Sequence, residues 1–361
     1  MAAALLAGFV GHRIDEKADW LPRISFRHQA RDVAPGALLR TIGDRRGIDR
    51  PIDVAVLVHG LFIDEQNFLL GPDPLADALE PIFGWTPLLV RYNSGKHISD
   101  SGRDLADLLH QLHEEWGHRL GRVQLIGHSM GGLVARAALS TLERRNDDVL
   151  DHIERLFLLA TPNHGAELER LGHLVEASLA RLLSLPGRGR ALFEGPEKPP
   201  RGAIAEALDE VATSAIERLA SAAGFPIRTL RGIVELRSHG IRDVRYGYMQ
   251  EVEWRTDEQM GARYGINHRR PLPPPAGVKT YAVAGSLLPV VGSTPSRIRN
   301  DGLVSVASAA AFGGDFDDLG VVSGERFVEV PLLAHQLVPS SERVRARMRD
   351  WIDADPRKAH R

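Results

Sequence analysis

Three short stretches of the chain carry residues whose types and spacing suit nucleophilic chemistry. The first is Gly127-His128-Ser129-Met130-Gly131-Gly132, a serine set among small residues. A serine hydroxyl attacks an acyl carbon only when a base takes its proton, a carboxylate orients that base, and N–H donors receive the resulting oxyanion. The second and third stretches offer the missing groups. Asn300-Asp301-Gly302-Leu303-Val304 supplies a candidate acid, Asp301, and Pro331-Leu332-Leu333-Ala334-His335 a candidate base, His335. A bare G-x-S-x-G is also an ordinary glycine-rich turn, so the elements around these residues decide between chemistry and structure.

Val123-Gln124-Leu125-Ile126 reads as a short buried strand, and Leu133 to Leu139 as a helix of strong formers without a breaker. Ser129 therefore falls where a strand turns sharply into a helix, with the helix N-terminus behind it to stabilise negative charge. Further strands are read at Asp53–Val58, Leu88–Tyr92, Leu156–Ala160, Lys279–Gly285 and Arg326–Val330. A helix from about Gly102 aligns Leu105, Leu108, Leu109, Leu112 and Trp116 on one face. Strands alternating with helices imply an α/β protein with a mostly parallel sheet flanked by helices.

In such a sheet the chemistry gathers at the carboxyl ends of the strands. His335 follows the last strand and Asp301 follows the one before it, so both reach the edge that presents Ser129. Asp315, Asp317 and Asp318 also lie between the last two strands and are rival acids. His128 sits inside the turn, His164 follows a different strand, and His239 and His268 fall in a later insertion, which makes each a weaker base. One oxyanion donor is Met130 N–H, directly after the serine. The other comes from Val58-His59-Gly60-Leu61, assigned to Leu61 N–H over Gly60.

Arg91-Tyr92-Asn93-Ser94-Gly95 also leaves a strand on the active edge, as a lining of an acyl pocket or as a plain loop. His110, His113 and His118 lack a metal-binding pattern and read as a solvated helix face. No cofactor and no metal are expected.

Residues 1–50 are poorly patterned and read as an irregular N-terminal extension, opening with a short apolar helix that lacks the basic region of a signal peptide. Residues 51–166 and 276–361 read as one α/β core interrupted by an inserted, largely helical cap at 167–275. Within the cap, Leu168 to Leu183 forms a leucine-lined amphipathic helix, which suits a lid over an apolar acyl site or a helix simply packed on the sheet.

With 43% hydrophobic and 25% charged residues, the 361-residue chain has the balance of a globular protein with a large core. Its formal charge of −2 gives no electrostatic case for nucleic acid. Cysteine is absent, which rules out disulfides and a thiol nucleophile and fits a reducing compartment. No stretch is long and apolar enough to span a bilayer, and a cytoplasmic location is expected.

Val58-His59-Gly60-Leu61, Gly127 to Arg136, Thr161-Pro162-Asn163-His164-Gly165 and Asn300 to Val304 together resemble the bacterial serine lipase/esterase family of α/β-hydrolases. More distantly they are similar to GPI inositol-deacylase-like hydrolases. The resemblance implies a Ser-His-Asp ester hydrolase with Ser129, Asp301 and His335 as its triad, in the chain order such enzymes use, and Leu61 and Met130 as oxyanion donors. Secreted lipases of this kind place an aspartate shortly after the triad histidine for calcium; this chain reads His335-Gln336-Leu337-Val338. The expected substrate is a small-molecule or lipid-like ester. An acyltransferase or a thioester or amide hydrolase would use the same triad.

Overall fold

The computed structural model describes residues 22–46, 50–71, 73–166, 238–259, 267–289, 299–311 and 325–355. The leucine-lined helix near Leu168–Leu183, the apolar N-terminal stretch and the rival acids Asp315, Asp317 and Asp318 lie outside these residues.

Eight strands form one sheet in the order β2-β1-β4-β3-β5-β6-β7-β8. They are β1 (Ser25–His28), β2 (Arg31–Val33), β3 (Ile52–Val58), β4 (Thr86–Arg91), β5 (Leu120–His128), β6 (Ile153–Leu159), β7 (Lys279–Ser286) and β8 (Phe327–Pro331). From β4 to β8 every pairing is parallel, while β1 pairs antiparallel with both β2 and β4. The residues read as an irregular extension thus hold a hairpin that joins the sheet through Phe26 opposite Val90.

Successive side chains of a strand point to opposite faces, and β3 shows what this does to the core. Val54, Val56 and Val58 pack into one apolar layer, and Ala55 and Leu57 into the other. The first layer is closed by α1 (Pro35–Arg46), α3 (Ile98–Trp116) and α4 (Met130–Arg145), the second by α2 (Leu75–Phe83) and α8 (Glu342–Asp353). A strand covered on both faces needs no polar side, which is why β3 reads as a continuous apolar run.

Two helices, α5 (His239–Tyr246) and α6 (Glu251–Gln259), follow the undescribed part of the insertion, and the four-residue α7 (Val306–Ala309) follows β7. Ile241, Val244, Met249 and Leu272 of the stretch 238–275 lie in the first apolar layer, so this part of the insertion packs on the sheet domain. Asp243 of α5 binds α3 directly, accepting the Ile98 N–H at 2.8 Å and standing 3.0 Å from His97 Nδ1.

The strand order turns back at β3, which has β4 on one side and β5 on the other. In open α/β sheets the crevice beyond the carboxyl ends at such a reversal is where ligands bind. The segments leaving β3 and β5 there carry Leu61 and Ser129.

Candidate active site

The turn at Ser129 is possible only because its neighbours are small. A Cβ on Gly127 would lie 2.5 Å from Gly132 N, and one on Gly131 would lie 2.5 Å from His59 O. Strand β5, helix α4 and the segment after β3 therefore meet backbone to backbone. Ser129 itself takes φ 55° and ψ −128°, a conformation that costs a non-glycine residue about 1–3 kcal/mol. Its N–H donates to Leu159 O at 2.9 Å, which fastens the turn to the end of β6.

On the other side of the turn stands Gly60, where a Cβ would come within 2.9 Å of Ser129 Cβ. Leu61 follows in a turn whose next residue, Phe62, has φ 62°. Met130 opens α4, so its N–H belongs to the first turn and has no intrahelical acceptor. The two proposed oxyanion donors thus flank Ser129, one on each neighbouring segment.

Asp301 and His335 come together as the sequence order implies. His335 Nδ1 lies 2.8 Å from Asp301 Oδ2, and His335 N–H donates to Asp301 O at 2.9 Å. The other carboxylate oxygen of Asp301 accepts Leu303 N–H at 3.0 Å and Val304 N–H at 2.8 Å, which fixes the side chain. A carboxylate only accepts, so His335 donates through Nδ1, and in the neutral imidazole the lone pair then lies on Nε2. That Nε2 is buried and makes no hydrogen bond among the described residues. Gly285 at the end of β7 lets the Asp301 and His335 loops close, since a Cβ there would lie 2.6 Å from Leu333 O and 3.0 Å from Asp301 Cβ.

The His335 loop also touches the Ser129 turn. His128, next to Ser129, places its Nε2 3.1 Å from His335 O, and the two rings stand 5.0 Å apart. Asn67 Nδ2 lies 3.3 Å from His128 Nδ1. Burial, and secondarily the nearby His335, hold His128 well below the usual histidine range, so it is neutral. Neither Asn67 nor the structural part of His128 had a signal in the sequence, because both contacts join segments far apart in the chain.

Other motif residues prove to be supports. Asn163 Oδ1 accepts from the buried Arg136 at 2.9 Å, and its amide donates to Ala309 O at 2.8 Å. Tyr92 O–H donates to His59 O at 2.7 Å while its ring stacks on the His59 imidazole at 4.4 Å. Arg91 pairs with the wholly buried Glu65, its Nε donating at 2.8 Å. The segment after β4 thus braces the Leu61 turn.

One group among the described residues brings possible metal ligands within 4.8 Å of one another: His97, His239 and Glu258. The imidazoles of His97 and His239 are stacked at 3.9 Å with planes 17° apart, so their in-plane lone pairs run side by side rather than converge. Glu258 is held by Arg242 at 2.7 Å. The arrangement does not fit a metal ion.

A mostly parallel sheet flanked by helices, with a serine on a strained strand-to-helix turn and an acid and a base after the later strands, defines the α/β-hydrolase fold. In sequence, residues 93–179 match the family model of the PGAP1-like alpha/beta domain. No curated protein sequence matches the chain. Among solved structures it is similar to the Bacillus licheniformis lipase BlEst2 in mature form, at 16% identity and a TM-score of 0.45 over 85% of this chain and 94% of that one. Phospholipase PlaB from Legionella pneumophila gives 18% and 0.42, over 84% of this chain and 58% of that one. A thermophilic esterase from Thermogutta terrifontis gives 19% and 0.38, over 85% and 92%. No helix of the described residues is long and apolar enough to cross a membrane.

Proposed function

We propose that the protein is a serine carboxylic-ester hydrolase that works through an acyl-enzyme. The observation that carries this reading is the Asp301–His335 bond of 2.8 Å, which leaves a buried, unpartnered Nε2 on a loop in contact with the Ser129 turn. Ser129 Oγ attacks the acyl carbon as His335 Nε2 takes its proton, and the imidazolium is stabilised by Asp301. The oxyanion lies against Leu61 N–H and Met130 N–H. Collapse of the tetrahedral intermediate breaks the bond to the alcohol, which leaves with the proton from His335. Water then repeats the sequence on the acyl-enzyme and frees the acid.

The surroundings favour an ester with an apolar acyl part. Leu287 and Leu288 follow β7, Leu332 follows β8 and Leu337 follows the base, and each is 45% exposed or more. Exposed leucines grouped on the loops that carry an acid and a base suit contact with a lipid-like substrate.

The test is hydrolysis of p-nitrophenyl esters from acetate to palmitate by wild type and Ser129→Ala, with EDTA present. Activity that survives EDTA and disappears in the variant supports the reading. Equal hydrolysis by both proteins, or none by either, contradicts it.

A further inference from the structure

Resting on the proposed Ser129–Asp301–His335 reading, we infer that His128 is a positioning residue. It is a neutral N–H donor that clamps the backbone of the base loop to the nucleophile turn, with its tautomer set by Asn67.

The chemistry of the three groups fixes the direction of each bond. The His335 carbonyl only accepts, so His128 Nε2, 3.1 Å away, must carry a proton. A neutral imidazole has one N–H, so Nδ1 is then an acceptor, and it faces the amide nitrogen of Asn67 at 3.3 Å. Donor meets acceptor at both nitrogens only in the Nε2–H form. The chain Asn67 to His128 to His335 joins three segments: the turn after β3, the nucleophile turn after β5, and the base loop after β8.

This clamp acts where the Asp301 bonds do not. Asp301 holds His335 from the acid side, through Nδ1 and the main-chain N–H. Only His128 ties the His335 main chain to the segment that carries Ser129, among the hydrogen bonds of the described residues. The distance from Oγ to Nε2 is what proton transfer depends on, and a displacement of about 1 Å at such a point costs up to ~100-fold in rate. Neutrality serves the same end. A charged His128 would repel the imidazolium that forms on His335 each time Ser129 gives up its proton, and burial keeps that charge away.

The experiment measures kcat and KM on p-nitrophenyl butyrate, the rate of labelling by a fluorophosphonate, and thermal melting. It compares wild type with His128→Phe, His128→Gln and Asn67→Leu. Phe keeps a ring of similar size and loses the donor; Gln keeps an amide N–H that reaches the same carbonyl. The expected result is a kcat and a labelling rate down roughly 10- to 100-fold in His128→Phe with KM little changed. Gln recovers most of that loss. Asn67→Leu, which frees the tautomer and keeps the clamp, loses roughly 2- to 10-fold, the worth of one ordinary hydrogen bond. Should His128→Phe fail to fold, His128→Gln against His128→Met carries the decision, with Gln the more active and equal activity overturning the inference. A folded His128→Phe with wild-type kcat, or a Gln variant no better than Phe, overturns the inference and leaves the esterase reading standing. A wild type that neither hydrolyses esters nor takes the label overturns both.

Discussion

The two ends of the same strands are built to different rules. At the amino ends of β5, β6 and β7, buried charges are matched. Arg155 pairs with Glu154 and donates to Asp355 at 2.6 Å, Lys279 reaches Asp355 at 2.6 Å, and Gln124 donates to Glu154 at 3.2 Å. At the carboxyl ends Ser129 sits in a strained backbone conformation, and among the described residues His335 Nε2 and His59 Nε2 are buried without a hydrogen bond, as Arg155 Nε and Thr280 Oγ1 are at the amino ends. Buried polar atoms are normally satisfied. The amino end holds the C-terminal segment after α8 against the sheet through charge pairs, and the carboxyl end carries the strained Ser129 turn and the proposed site.

That comparison can be broken by mutation. The largest effect is expected at the carboxyl end: Asp301→Asn keeps the shape of the side chain, lets His335 take the wrong tautomer, and lowers kcat by about 10⁴-fold while the melting temperature changes little. Steady-state kinetics beside a thermal melt check it, and an Asn variant within tenfold of wild type would mean that another carboxylate orients the base. At the amino end the sign reverses. Asp355→Ala removes one of the two carboxylates on the buried Arg155, with Glu154 remaining, and costs about 1.5–3 kcal/mol of stability, the worth of a hydrogen bond to a charged group, with kcat of the folded protein unchanged. Urea unfolding reads the stability, and a fall in kcat below the transition would erase the division between the two ends.

A smaller effect sharpens the claim of strain. Ser129→Gly removes the penalty of φ 55° and is expected to raise stability by about 1 kcal/mol or more as activity is lost. No gain in the urea midpoint would show that the Leu159 hydrogen bond and the packing already compensate for the turn.

The smallest effect concerns pH. His97 is pushed down to about 4 by burial, so between about pH 6.5 and 4 the unfolded chain binds a proton that the folded chain does not. Its contribution is therefore full above pH 6.5 and lost as the pH falls toward 4. Asp243 opposes it, since burial raises that carboxyl well above the usual range and folding then takes up a proton. His97→Asn keeps a donor toward Asp243 and cannot titrate, so its melting temperature should fall less than that of wild type between pH 6.5 and 5. Parallel curves would show that His97 is not the group being protonated.

What the sequence makes legible is what local chemistry dictates. The Ser129 turn is readable because strand, glycines and helix adjoin in the chain, and Asp301 and His335 because each follows a strand that places it on the same edge. The sheet-edge hairpin is not readable: β1 and β2 have four and three residues, and Phe26 is their one fully buried side chain. Helix α3 begins at Ile98 rather than near Gly102. The extra turn is fastened by Asp243, 145 residues further on, and no local pattern announces that bond. His128 follows the same logic. Its place beside the serine is visible, and its bond to His335 O is not, since 207 residues separate the two.

The central claim is that Ser129 is activated by His335. The most direct measurement is peptide mapping by mass spectrometry after reaction with a fluorophosphonate, on wild type and His335→Ala. The account predicts stoichiometric phosphonylation of Ser129 in wild type and almost none in the variant. Label on another residue, or equal labelling of Ser129 in both proteins, would contradict it.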